Sequence, residues 1–382
     1  MMGSPNVRGR RRPRIVLIAL AAVSVLLGGG VLGAGWYYSG ELLEPAEARP
    51  GYHDVVISSA GGTVSLVESR VTVLPGTWGL AWPGGGARVG AVTGRSGGTV
   101  VRELEGEAPP DGTSVRLEAA VWSTDPRTAH GLDYTDVRIP TELGDAPAWL
   151  VPATSPTWVV AVHGRGGSRT EALRVVPTLH DLGLPVLAVT YRNDEGAPRS
   201  PDGLYHLGDT EWRDVEAAVR YARAHGAREV VLYGWSMGGA IVGQFLGRSA
   251  EAGAVVAAVL DAPVVSWRKT LEAQARDRGL PGRLAPVAEL VSDWRADLEF
   301  HRFELVEHPP AHRPPTLLFH GGADGTVPVG ASRDLATAAP RLGWPVRYVE
   351  VPGAEHTAEW NVDPGAYEEV LAEFLGSVGG AR

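Results

Sequence analysis

Glu229-Val-Val-Leu-Tyr-Gly-Trp-Ser-Met-Gly-Gly-Ala-Ile-Val-Gly-Gln-Phe-Leu246 is the stretch on which the reading of the chain turns. A β-branched apolar run ends in Gly234-Trp235-Ser236-Met237-Gly238 and passes directly into a helix-forming run, the pattern of a strand, a sharp turn and a helix with Ser236 at its tip. A serine held in such a turn leaves no space for side chains two residues to either side, so Gly234 and Gly238 are expected to be steric requirements. The motif alone is weak evidence. In a chain with 50 glycines in 382 residues it arises by chance about 0.3 times. A second match, Gly94-Arg95-Ser96-Gly97-Gly98, lies between two strand-like runs, Val89 to Val92 and Thr99 to Arg102, and predicts a hairpin with no helix after it. Context therefore selects Ser236 as the nucleophile and leaves Ser96 as a turn residue.

Working outward, apolar runs alternate with helical patterns from about residue 126 to 382, the signature of a mostly parallel sheet flanked by helices. Tyr134 to Ile139 and Ala148 to Val151 read as an antiparallel entering pair. Thr157 to Val162, Pro185 to Thr190, the run before Ser236, Ala254 to Leu260, Pro315 to His320 and Val346 to Val351 read as further strands. Helices are expected from Thr170 to Leu182, Asp209 to His225 and Pro364 to Leu375. In such a sheet, function gathers beyond the carboxyl ends of the strands.

A hydroxyl is a poor nucleophile near neutrality, so Ser236 needs a base and an acid that orients it. His356, in Pro352-Gly-Ala-Glu-His356, is the histidine that follows the last strand on a loop. Asp324, in His320-Gly-Gly-Ala-Asp324, follows the strand before it. The oxyanion donors expected are the backbone N–H groups of Met237, at a helix start, and of Arg165 in His163-Gly164-Arg165-Gly166-Gly167-Ser168, with Gly166 second. That loop lacks the Lys-Ser/Thr ending of a phosphate cradle.

Other groups receive structural readings. Asp261 is an alternative acid or a brace for the loop at Pro263, and His163 and His320 are expected to pin their own loops. Pro309-Pro310 keeps His308 and His312 from forming a helical metal pair. Arg192-Asn193-Asp194 reads as a solvated loop with an internal ion pair, or else as a substrate contact. A segment of about 264 to 313 is expected to cap the site, with Trp267, Leu290, Trp294, Phe300 and Phe303 lining an acyl pocket or fastening the cap to the core.

Before the parallel unit, residues 51–125 carry short alternating runs separated by Gly- and Pro-rich turns and predict a small antiparallel β-rich region, with Trp78 and Trp82 in its core. The chain opens with a basic tail, 1–14, holding Arg8, Arg10, Arg11, Arg12 and Arg14. An uncharged run follows, 15–38, which at about 1.5 Å per residue is long enough for a transmembrane helix. The arginines place the tail in the cytoplasm and the remainder outside it, tied by a polar linker at 39–50. A secreted form after signal-peptide cleavage is the alternative. Trp36, Tyr37 and Tyr38 would form an aromatic belt at the outer interface.

The net charge of −9, more acidic still once the N-terminal arginines are set aside, argues against nucleic acid as a partner. The absence of cysteine excludes disulfides, a thiol nucleophile and thiolate metal sites. No cofactor or metal is expected.

From Tyr134 to Leu375, His163-Gly-Arg-Gly-Gly, Gly-Trp-Ser236-Met-Gly-Gly, His320-Gly-Gly-Ala-Asp324 and His356, in that chain order, resemble the α/β-hydrolase superfamily and within it the serine aminopeptidase, monoacylglycerol lipase and prolyl-oligopeptidase-like groups. The resemblance implies an α/β-hydrolase fold, a Ser236-Asp324-His356 triad and an acyl-serine intermediate. It leads to the expectation of a serine esterase, lipase-like, acting on a small-molecule or lipid-like acyl substrate at the outer face of a membrane. Amide or peptide cleavage is the first alternative, and a non-catalytic membrane-anchored binding protein on the same fold is the second. The β-rich region is too short for the propeller of prolyl oligopeptidases, which weighs against a peptidase.

Overall fold

A computed structural model describes residues 29–30, 32–45, 51–279 and 285–379. Strand β9 (Thr157–Val162) and strand β11 (Glu229–Trp235) are buried along nearly their whole length, because a central parallel strand is covered on both faces and can be apolar throughout. They form the middle of an eight-stranded sheet ordered β14-β13-β12-β11-β9-β10-β8-β7. In it β10 (Val186–Val189), β12 (Val255–Asp261), β13 (Thr316–Gly321) and β14 (Val346–Val351) run parallel to them. β7 (Thr135–Thr141) and β8 (Gly144–Val151) form the expected antiparallel pair at one edge.

Each face of the sheet has its own core. On one lie α4 (Trp212–Ala224), α5 (Met237–Arg248) and α8 (Val329–Leu342). On the other lie α3 (Val176–Asp181) and α10 (Pro364–Gly379). The helix expected over 170–182 divides into a 3-10 turn, Arg169–Arg174, and α3. Pro177 near the start of α3 lacks the N–H that a continuous helix would use. Two helices, α6 (Trp267–Asp277) and α7 (Ala285–Ala296), with a 3-10 turn at Phe300–Phe303, form the cap.

The β-rich region is a closed six-stranded barrel, β1-β2-β5-β4-β3-β6, comprising β1 (Asp54–Ala60), β2 (Thr63–Val67), β3 (Trp78–Trp82), β4 (Gly85–Ser96), β5 (Thr99–Gly106) and β6 (Ser114–Glu118). Closure removes the sheet edges. Trp78 and Trp82 are in its core as expected. The strand that carries them was missed in the sequence, because Gly79 and the flanking tryptophans give no clean alternation. Ser96 sits at the end of β4, and the left-handed pair Gly97-Gly98 turns the chain into β5, which is the expected hairpin. Arg102 is fully buried here. Its guanidinium donates to the carbonyls of Gly90, Thr72, Leu74 and Gly76, and burial pushes its pKa down to about 10.

Only the last part of the expected N-terminal segments falls within the described residues. Most of the 15–38 run lies outside the described residues, and no helix among the described residues is long and apolar enough to cross a membrane. The described part, α1 (32–43), extends through five residues expected to be linker and packs on the parallel-sheet unit, with Ser39, Leu42 and Leu43 buried. Arg295 of α7 donates to Trp36 O and Ser39 Oγ, pairs with Glu44, and stacks over the Trp36 ring. Tyr205 N–H donates to Leu43 O at 2.7 Å. Tyr38 lines a cavity.

Candidate active site

Strand β11 delivers Ser236 with φ 51° and ψ −117°, a left-handed conformation rare outside glycine, and α5 begins at the next residue. The turn is fixed by Ser236 N–H to Asp261 O at 2.9 Å and by Ser236 O accepting from Gly239 N–H and Val264 N–H, both at 3.0 Å. A methyl group on Gly238 would lie 2.1 Å from Val162 O, and one on Gly234 would lie 2.7 Å from the Gly238 carbonyl carbon, so both glycines are required by close approach.

Ser236, His356 and Asp324 come from three separate loops at the same sheet edge, and the structure brings them together. His356 Nε2 is 2.9 Å from Ser236 Oγ and its Nδ1 is 2.7 Å from Asp324 Oδ2. With the proton on Nδ1 donated to the carboxylate, Nε2 presents a lone pair to the serine hydroxyl. Asp324 is held on its other oxygen by the N–H groups of Thr326 and Val327, at 2.8 and 2.9 Å. Burial works to raise its pKa, but hydrogen bonds from His320 and His356, the His356 charge and the Val327 N–H outweigh that and hold the carboxyl well below its ordinary range. His320, 3.2 Å from Asp324 and also bonded to Ser332 Oγ and Val327 O, thus pins its own loop and the acid as well.

Met237 opens α5 with no side-chain cap on it, so its N–H is one of the unpaired donors at a helix start. The loop after β9 passes so close to the serine that a methyl group on Gly164 would lie 3.1 Å from Ser236 Cβ. Gly164 N–H is taken by Glu171 Oε2 at 2.8 Å, which fixes the loop and leaves Arg165 as its next amide. His163 pins this loop through Gly164 O and Asp194 Oδ2, each at 2.8 Å.

Asp261 is not the acid on His356, whose Nδ1 is bonded to Asp324. Asp261 is fully buried and accepts from Tyr367 Oη at 2.6 Å. Arg192 and Asp194 differ from expectation. Arg192 is buried and pairs with Asp214 of α4 at 2.8 Å and with Glu142, while Asp194 holds His163, so the segment is a packed brace and not a solvated loop. His312 Nε2 lies 2.8 Å from Val255 O, and His308 packs edge-on against His301, so the two histidines do not converge.

A cavity of about 960 Å³ lies over Ser236 and His356. Of the five aromatic and aliphatic residues expected to line it, Trp267 does. Leu290 and Trp294 are 63% and 76% exposed and do not line it, and Phe300 and Phe303 are buried where the cap meets the core, the other role expected of these residues. The rest of the wall comes from the cap helices α6 and α7, from Gly325, Thr326 and Val327, and, unforeseen, from α1.

Two braces were also missed. Buried Arg174 links Glu171, and through it the Gly164 loop, to the loop behind His356. Its Nη1 donates to Thr357 O and lies 3.2 Å from Asn361 Oδ1. Asn361 in turn bonds to the barrel. A single asparagine or arginine carries no sequence signal for such a role.

A model of the prolyl oligopeptidase family matches residues 176–378, and one described as a domain of unknown function matches 55–118, the barrel. Among curated proteins, no sequence matches the chain. Among solved structures, the Pyrococcus furiosus esterase Pf2001 is similar over 67% of this chain and 96% of its own, at 22% identity and TM-score 0.54. A Mycobacterium tuberculosis puromycin-hydrolyzing peptidase is similar over 83% of this chain and 46% of its own, at 20% identity and TM-score 0.53. An esterase from the bacterial hormone-sensitive lipase family is similar over 68% and 86%, at 18% identity and TM-score 0.52. These likenesses establish the α/β-hydrolase fold.

Proposed function

The chain belongs to the prolyl oligopeptidase family, and from that premise we propose that it is a serine hydrolase cleaving carboxylic esters through an acyl-Ser236 intermediate. The observation that carries this reading is the continuous hydrogen-bonded line from Ser236 Oγ through His356 to buried Asp324, opening on a large and mainly apolar cavity. In this mechanism His356 takes the Ser236 proton as Oγ attacks the acyl carbon, and then gives it to the departing alcohol. Asp324 steadies the imidazolium, and the amides of Met237 and Arg165 bind the oxyanion. Water repeats the sequence to release the acid.

The uncharged run beginning at Ile15, with the arginines before it, supports anchoring with the catalytic unit outside the cytoplasm. Amide or peptide cleavage is the second reading. It is favoured by the family itself and by the fold likeness to a protein whose name describes peptidase action on puromycin.

A fluorophosphonate probe should label the wild-type chain and Ser96→Ala but not Ser236→Ala. Matched p-nitrophenyl ester and anilide substrates then separate the two readings: ester turnover at least 100-fold above anilide turnover supports the esterase, and the reverse supports the peptidase. Label on Ser236→Ala would remove the basis of both.

A further inference from the structure

One wall of this cavity belongs to the chain's own helix α1. Ala34, Tyr38 and Leu42 of α1 lie at i, i+4 and i+8, one face of a helix, and all three line the cavity over Ser236 together with Trp267 and Leu271 of α6. The helix is fastened at both ends. At its carboxyl end, the Arg165 guanidinium donates to the carbonyls of Leu42 at 2.8 Å, Glu41 at 2.6 Å and Glu44 at 2.7 Å. Cations are favoured there because the last helical carbonyls have no partner within the helix. Toward its amino end, α1 meets α7 so closely that a methyl group on Gly35 would lie 3.2 Å from Val287 Cγ1.

We infer that α1 is a specificity-determining wall of the substrate site, and that the groove between α1 and α6 takes the acyl chain of an uncharged ester. This rests on the ester reading above. Two observations define the class. The cations along this wall are already engaged, Arg278 with Glu41, Arg295 with Glu44 and Arg165 with carbonyls, which leaves none of these three for a phosphate or sulfate headgroup. The direction of the groove is also set. Arg165 holds the Leu42 end of α1 beside Ser236, and Ala34 lies a helical distance of about 12 Å further on, at 1.5 Å per residue, the reach of an acyl chain of about ten carbons. Leu42 therefore flanks the reacting carbonyl and Ala34 meets the distal methyl end.

Two full-chain variants test this. Because the chain has no cysteine, Gly35→Cys with Val287→Cys creates one possible intrachain pair, read by mass and by reductant-sensitive mobility. Ala34→Trp should shorten the groove, lowering the ratio of kcat/KM for p-nitrophenyl decanoate to that for the acetate by at least 10-fold relative to wild type. A disulfide that forms readily, together with the reduced ratio, is the expected result. Failure of the disulfide to form in folded protein, or an unchanged ratio, overturns the inference. If the wild-type chain takes fluorophosphonate at Ser236 but turns over no ester of any length, the ester reading and the acyl class fail, while the disulfide still decides where α1 lies.

Discussion

Asn361 and Thr77 exchange two hydrogen bonds across the junction of barrel and hydrolase unit, Asn361 Nδ2 donating to Thr77 O at 2.7 Å and Thr77 N–H donating to Asn361 O at 2.8 Å. Asn361 also donates to Ala119 O and faces Arg174, which holds the residue after His356. Gly76 allows this approach, since a methyl group there would lie 1.8 Å from Asn361 O. The barrel therefore buttresses the loop that carries the base, and Thr357 in that loop keeps a left-handed φ of 52°.

Asn361→Ala strips partners from Thr77 O, Ala119 O and Arg174. With each buried unpaired group costing about 1–3 kcal/mol, denaturant unfolding should show a loss of about 3 kcal/mol. Ester kcat/KM should fall about 10-fold as His356 loses its support. A stability loss with unchanged kcat/KM would mean that the barrel steadies the fold and not the base.

Glu359 is buried next to Asp261, and neither of its carboxyl oxygens has a hydrogen-bond partner among the described residues. Burial, and then the Asp261 charge, raise its pKa well above the usual value, which favours the protonated form. A carboxyl whose folded pKa is raised contributes stability fully present below its unfolded value, near 4.3, and lost as pH rises through the folded value. Glu359→Gln keeps the donor without the ionisation. Its Tm advantage over wild type should be small at pH 5 and grow toward pH 9, as scanning calorimetry would reveal; a gain that does not change with pH would contradict the buried proton.

Arg102 satisfies four barrel carbonyls from a fully buried position without a carboxylate partner among its contacts. Arg102→Met keeps much of the stem but leaves those carbonyls unpaired, so a destabilisation of about 3 kcal/mol or more is expected in urea unfolding. Arg102→Lys should rescue little of it, because one ammonium cannot span four acceptors.

Asp324 has the opposite sign to Glu359. Its folded pKa is depressed, so its stabilising contribution is present above the unfolded carboxylate value, near 3.9, and is lost as pH falls through the folded value. The stability gap between wild type and Asp324→Asn should hold steady above pH 5 and narrow below pH 4 in acid titrations followed by circular dichroism. A gap that widens on acidification would contradict the hydrogen-bonded carboxylate.

The turn at Ser236 and the loops bearing Asp324 and His356 were legible because strand order in a parallel sheet fixes which loops share an edge, and each loop carries its glycines in plain view. α1 was not. Its residues Ala34 and Tyr38 end an uncharged run whose pattern marks no face, and Leu42 falls in the segment expected to be a polar linker. Arg192 was misread for a related reason: its partner Asp214 is far along the chain, so charge near Asp194 suggested a local pair where the fold supplies a distant one. Leu290 and Trp294 were misassigned because helical period alone does not say which face of a cap meets the cavity.

The most direct measurement is intact-protein and peptide mass analysis after rapid acid quench of the full chain turning over a p-nitrophenyl ester. A covalent acyl adduct on the peptide containing Ser236, formed at a rate matching the p-nitrophenol burst and absent in Ser236→Ala, is the predicted result. Steady turnover with no acyl adduct while the acylation burst is visible, or an adduct on another residue such as Ser96, would contradict an acyl-Ser236 mechanism.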